Sequence, residues 1–207
     1  GNTKSILGNH QGAIADFNKA IEIDQQDFQS YSNRGNAKGR LGDYHGAISD
    51  YNKALKINPQ DAISNYNRGF AKSYLGDYKG AITDYNKALK INPQSASYYY
   101  RRGIAKRESG DYQGAIADLN KTIEINPQYA NALNHRGVVK YKLGDYQGAI
   151  ADYSKAIEID SQNADAYRNR GVAKGRSSDL QGMCFDFRKA SSLGNEMAVK
   201  ALNKFCQ

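Results

Sequence analysis

The sequence predicts an all-α protein, a right-handed superhelical solenoid of 34-residue helix–turn–helix repeats, and three markers in phase carry that prediction. Gly-Ala-Ile stands at Gly12-Ala13-Ile14, Gly46-Ala47-Ile48, Gly80-Ala81-Ile82, Gly114-Ala115-Ile116 and Gly148-Ala149-Ile150, and persists as Gly182-Met183-Cys184. Gly1, Gly35, Gly69, Gly103, Gly137 and Gly171 keep the same period, preceded from the second copy on by Arg34, Arg68, Arg102, Arg136 and Arg170. Pro59, Pro93 and Pro127 fall in phase as well. Self-similarity at a fixed period of this length marks stacked units, each burying its apolar face only against its neighbours.

The stretch from Ala62 to Ser95 shows one unit. A proline-free run from Ala62 to Leu75, with Tyr66, Gly69 and Ala71 between, predicts a first helix. Gly76-Asp77 interrupts it, glycine as a helix stop and aspartate as the N-cap of a second helix. That second helix is expected from Tyr78 to Ile91, where Ala81, Ile82, Tyr85, Ala88, Leu89 and Ile91 keep one face apolar. Asn92-Pro93 ends it. The same periodicity divides the chain into a partial repeat over 1–27, full repeats over 28–61, 62–95, 96–129 and 130–163, a degenerate repeat over 164–194 and a C-terminal capping helix over 195–207. Gly1 stands in the phase of Gly35, inside a helix, so the N-terminus is expected to be a fragment boundary, and end-to-end association there is a further expectation. In the cap, Ala198, Val199, Leu202 and Phe205 follow helical spacing. The mid-helix glycine typified by Gly69 costs about 1 kcal/mol relative to alanine. Its expected use is close helix approach, with Ala20, Ala54, Ala88, Thr122, Ala156 and Ala190 as the other half of the contact.

Composition excludes several classes. The longest apolar runs are a few residues, too short for a membrane span or a secretory leader. The formal net charge of +8 is uneven, with residues 69–102 carrying +4 and residues 103–170 none. A positive face of that kind favours acidic partners; no Lys/Arg-rich run or binding motif points to nucleic acid. His10, His45 and His135 fall at different repeat positions, and two cysteines are too few for a zinc site. No catalytic constellation or phosphate loop is present, so the reading is a non-enzyme without a cofactor. Cys184 takes the place of isoleucine in five copies, and its default role is that of a small buried hydrophobe. A cap helix folded back across the last repeat also puts Cys206 within reach of a disulfide. The cytoplasm is the expected compartment, or an oxidising one if the two are bonded.

With glycine at the eighth place, Gly-Asp-Tyr at the turn, alanine at the twentieth and twenty-seventh and proline at the thirty-second, the unit resembles the tetratricopeptide repeat, and the resemblance spans essentially the whole chain. The chain departs from that family's pattern in three columns. The aromatic of the fourth place is Tyr31, Tyr99 and Tyr167 but Asn65 and Leu133; the leucine of the seventh is arginine; the aromatic of the eleventh is Lys4, Lys38, Lys72, Lys106, Lys140 and Lys174. The arginines recur with Asp16, Asp50, Asp84, Asp118, Asp152 and Asp186, which predicts structural ion pairs between the two helices, with a basic stripe for a ligand as the competing reading.

The resemblance implies a concave surface built from one face of the first helices. Of the 16 tyrosines, ten occupy repeated columns. Tyr66, Tyr74, Tyr100 and Tyr141 do not, and they fall on that face with Phe70. Asn33, Asn36, Arg40, Asn67, Arg101, Arg107, His135, Lys142, Arg168, Asn169 and Arg176 are its polar members. Aromatics mixed with arginine and asparagine are the composition of binding hot spots; packing against the next helix is the competing use. Asn36, Asn67 and Arg101 also match three of the five places with which chaperone-binding members of the family hold a terminal carboxylate, while Ser32 and Ser97 replace its lysines. The expected function is a protein-interaction scaffold that binds an extended or helical partner segment, acidic or ending in a free carboxylate, centred on the second to fourth repeats. A regulatory or targeting arm of a larger enzyme or sensor is the alternative, and an RNA-binding basic solenoid the weaker one.

Overall fold

The computed structural model describes residues 1–206, and its regular elements are thirteen α-helices, with no strand among the described residues. They fall into two compact units. The unit Gly1–Ser109 holds α1 (Asn2–Ile6), α2 (His10–Ile23), α3 (Phe28–Arg40), α4 (Tyr44–Ile57), α5 (Ala62–Tyr74), α6 (Tyr78–Ile91) and α7 (Ala96–Glu108). From Gly110 onward lie α8 (Tyr112–Ile125), α9 (Ala130–Lys142), α10 (Tyr146–Ile159), α11 (Ala164–Arg176), α12 (Leu180–Ser192) and α13 (Glu196–Phe205). Within each unit every helix packs on the next, and α3 meets α5, α5 meets α7 and α9 meets α11. No helix among the described residues is long and apolar enough to cross a membrane.

The turns explain the glycines of the sequence. Gly42, Gly76, Gly110 and Gly144 take φ near +80 to +90°, a left-handed conformation that closes a helix and that a Cβ disfavours. The aspartate after each turn caps the second helix, accepting from the backbone of the Gly-Ala-Ile glycine, as Asp43 does from Gly46 at 2.8 Å and Asp77 from Gly80 at 2.9 Å. A Cβ on Gly46 would stand 2.1 Å from the Asp43 carboxylate, so this glycine lets the cap close. Four of the second helices end in an Asx turn: Asn58 accepts from Gln60 N and Asn126 from Gln128 N, and Asp24 and Asp160 accept from Gln26 N and Gln162 N without a proline. In the degenerate copy Ser178 holds the left-handed position at φ 65°. Ser178→Gly is therefore expected to raise stability by about 1 kcal/mol; a denaturant midpoint at or below that of the parent protein would contradict the strain.

The partner of the mid-helix glycine is not the small-residue column. A Cβ on Gly35 would lie 2.8 Å from the Tyr51 ring, on Gly69 2.9 Å from Tyr85, on Gly137 2.6 Å from Tyr153 and on Gly171 2.8 Å from Phe187. The glycine makes room for an aromatic ring of the paired helix, which buries far more apolar area than an alanine does. The alanines face the next repeat instead, Ala88 packing with Tyr98 and Ala156 in a cluster with Ala166 and Tyr167.

The arginine and aspartate columns form a ladder of ion pairs. Arg68 Nε and Nη2 donate to the Asp84 carboxylate at 2.9 and 2.5 Å, and Lys72 Nζ lies 2.8 Å from its second oxygen. Arg34 and Lys38 hold Asp50 in the same way, as do Arg136 and Lys140 with Asp152, and Arg170 and Lys174 with Asp186. Each of these arginines also donates Nη1 to the preceding repeat: Arg34 to Asn18, Arg68 to Asn52, Arg136 to Asn120 and Arg170 to Ser154. Asp16 is held by Lys4 at 2.9 Å, and that hydrogen bond leads in lowering its pKa. These arginines are occupied by structure, which sets aside the basic-stripe reading for them. The lysine that replaces the family's aromatic is the second cation of the same device.

At the C-terminal end α13 packs on α12, and Cys184 is bonded to Cys206 with their Cα atoms 5.6 Å apart. Cys184 is thus half-buried and cross-linked, not a free core thiol. Of the four cap residues expected to face inward, Ala198 is buried and Leu202 half-buried, while Val199 and Phe205 are 43% and 57% exposed. The helix presents a narrower apolar stripe to α12 than the spacing suggested, and the disulfide supplies the remaining attachment.

Candidate functional site

A hollow of about 670 Å³ opens along α3, α4 and α5 and reaches Arg101 of α7. It gathers seven of the residues singled out in sequence: Asn36, Arg40, Tyr66, Asn67, Phe70, Tyr74 and Arg101. Gly35 and Ala71 are buried at the helix seams, which turns the faces of Asn36, Tyr66 and Phe70 toward one another across α3 and α5.

Aromatic rings and a guanidinium form a continuous ladder there. Tyr44 stacks on Tyr74 at 4.7 Å, Tyr74 meets Phe70 at 4.9 Å, and the Arg101 guanidinium lies 4.7 Å over Phe70 and 5.7 Å from the Tyr100 ring. Tyr74 is 61% exposed, so an apolar ring faces outward at the centre of the ladder. Tyr66 is fixed between Tyr98 at 4.7 Å and Tyr85 at 5.8 Å. Burial pushes the Tyr85 phenol up to about 12, against the opposing contact from Ser73, and burial also raises Tyr51 and Tyr98. These phenols stay neutral across the physiological range.

Below the rings, Asn36 Oδ1 accepts from Tyr51 Oη at 2.7 Å and from Asn67 Nδ2 at 2.8 Å. That locks both asparagines and leaves Asn36 Nδ2 and Asn67 Oδ1, one donor and one acceptor, without a protein partner among the described residues. One peptide unit offers the complementary acceptor and donor. Arg40 and Arg101 line the hollow without a carboxylate within ion-pair distance among the described residues, and no acidic side chain lines it. Cations unpaired inside a cleft of low-dielectric walls focus a positive potential.

Other residues singled out in sequence stand elsewhere. Tyr100 is buried and Arg107 pairs with its neighbour Glu108, so neither presents a free group to the hollow. Asn33 lies on α3 outside the lining set. Ser32, at a lysine place of the clamp, is buried and accepts from Ser64 Oγ at 2.8 Å, and Ser97 contacts Ser95, so no second cation enters there. His135, Tyr141, Arg168 and Asn169 belong to the other unit. There Arg176 donates to Tyr141, Asn169 donates to Asn134, and Arg168 Nε lies 3.9 Å from Asp165. Tyr44 and Tyr51 were missed because they occupy repeated columns; for Tyr44, its place at the start of the second helix beside the non-repeated Tyr74 one helix on was the available signal.

Models described as TPR repeat match residues 1–42, 74–106, 103–144 and 139–177, and a model described as Tetratricopeptide repeat matches residues 28–61. The chain belongs to the tetratricopeptide repeat family. Among solved structures this tetratricopeptide array is similar to MamA, at 30% identity over 80% of this chain and 96% of that one, with a TM-score of 0.73. It is similar to a tetratricopeptide repeat protein from Parabacteroides merdae ATCC 43184, at 26% identity over 98% and 79% of the two chains, with a TM-score of 0.70. PilW, a type IV pilus biogenesis factor, shares the fold at 19% identity, covering 97% of this chain and 94% of its own, with a TM-score of 0.86. A search of curated proteins returns no match.

Proposed function

We propose that this tetratricopeptide array is a protein-interaction scaffold whose Gly1–Ser109 unit receives an extended or helical partner segment in the hollow between α3 and α5. The observation that carries this reading is the pairing of an exposed aromatic ladder with two guanidinium groups, neither facing a carboxylate, in one cleft that has no acidic lining. A partner side chain stacks on Tyr74, its backbone bonds the free amide atoms of Asn36 and Asn67, and an acidic side chain or terminal carboxylate meets Arg101.

Truncating an aromatic anchor costs at least about 2 kcal/mol, roughly thirtyfold in affinity. Tyr74→Ala and Arg101→Ala are therefore expected each to weaken a partner recovered by affinity capture by about that factor in calorimetry, while Lys19→Ala on α2 does not. Tyr66→Ala is the poorer probe, because Tyr66 also packs on buried Tyr98 and Tyr85. Equal affinity for all the variants places the partner elsewhere on the array.

A further inference from the structure

A different hollow, of about 420 Å³, lies between α4, α5 and α6 and shares no residue with the aromatic groove. Two departures from the repeat meet in it. The first is at the fourth place of the repeat. Where that residue is tyrosine, its ring stacks on the arginine three positions on: Tyr31 with Arg34 at 5.5 Å, Tyr99 with Arg102 at 5.3 Å, Tyr167 with Arg170 at 5.5 Å. In the third repeat the place is held by Asn65, whose amide turns back to Asp61 O at 3.0 Å. Arg68 consequently has no ring stacked on it among the described residues, and the ring's space is open beside Leu55, Pro59 and Ile91.

The second departure is in charge. The twenty-ninth place is Glu22, Glu124 and Glu158 in three copies but Lys56 and Lys90 in the second and third. In the fourth repeat Glu124 pairs with Lys121 at 2.6 Å. With that glutamate replaced, Lys56, Lys87 and Lys90 all line the hollow, exposed and without an ion-pair partner among the described residues.

We propose that this hollow is a second binding site, and that its occupant is an acidic protein segment anchored by one aromatic side chain. The anchor enters the space that tyrosine fills in other copies and stacks on the Arg68 guanidinium, whose charge is already met by Asp84 but whose face is open. The three lysines meet the carboxylates on either side of it. An apolar cavity of about 150 Å³ holds a benzene ring, so the space suffices. A nucleic acid strand needs a basic track along its phosphates, and Glu22 and Glu124 interrupt the lysine column on both sides of the two repeats.

The test uses the full chain and a blocked, fluorescein-labelled peptide, Glu-Asp-Glu-Phe-Glu-Asp-Glu, read by fluorescence anisotropy. Two variants restore what the other copies carry and so keep the framework: Asn65→Tyr refills the hollow, and Lys56→Glu with Lys90→Glu restores the acids. Each is expected to weaken the peptide about tenfold or more, as is Phe to Ala in the peptide, whereas Lys19→Ala on α2, outside both hollows, leaves affinity unchanged. Absence of measurable binding overturns the proposal, as does unaltered affinity for Asn65→Tyr or for the alanine peptide. Loss of binding in Arg101→Ala assigns the peptide to the first groove and also overturns it. Displacement of the peptide by equimolar inorganic triphosphate or a short oligouridylate assigns the lysines to phosphate recognition, with the same consequence.

Discussion

Asp84→Ala is expected to lower the stability of the Gly1–Ser109 unit by about 3–5 kcal/mol, because it leaves two cations facing a low-dielectric seam with no counter-charge. Asp84 is 1% exposed and takes both Arg68 and Lys72. The loss propagates, since Arg68 also bonds Asn52 of the preceding repeat and is oriented for it by Asp84. Arg68→Met should cost less, because Lys72 still balances the carboxylate. For a chain of this length the alanine variant corresponds to a melting temperature lower by about 10 °C. Stacked repeats can fray separately, so hydrogen exchange across α5 and α6 is the companion measurement. A melt within about 2 °C of the parent together with unchanged protection would show that the ladder is solvated and worth no more than surface pairs.

Cys206→Ser, or reduction of the intact protein, is expected to cost the unit from Gly110 onward about 3 kcal/mol. The bond closes a loop across a sequence separation of 22, which sets the entropy it removes from the unfolded chain. In the folded state it secures a helix with little else to hold it: Ala198 is the one fully buried residue of α13. Ten residues of helix are marginal alone, so α13 should lose amide protection on reduction while α10 keeps it. Thiol titration of the denatured, unreduced protein should find no free thiol. Full protection of α13 in the serine variant would show that packing alone seats the cap.

The fold was legible in sequence because its determinants are local and repeated. The Gly-Asp turn, the helix-ending Asn and Asp residues and the in-phase apolar positions each act within a few residues, and six copies average out exceptions such as Ser178 and Cys184. The arginine and aspartate columns were legible for the same reason, since residues sixteen apart in one hairpin repeat the same contact. The part played by the lysine column was not, because a departure from a family pattern says that a residue differs, not what it touches.

The candidate site was legible only in part. Non-repetition found Tyr66, Phe70, Tyr74, Asn67 and Arg101, yet it equally nominated Tyr100, which is buried, and passed over Tyr44, whose column repeats. Exposure is a property of neighbours from other helices, and the sequence of one helix face does not contain it. By itself the sequence determined the helices, their turns and their order, through backbone conformation and short-range hydrogen bonds. Only the tertiary structure decided that a tyrosine ring fills the space over each of three mid-helix glycines, that Asn36 and Asn67 lock together, and that Asn65 leaves a hollow beside three lysines. Each of those is a contact between side chains distant in sequence, where the volume and charge of one residue take their meaning from what the fold brings against it.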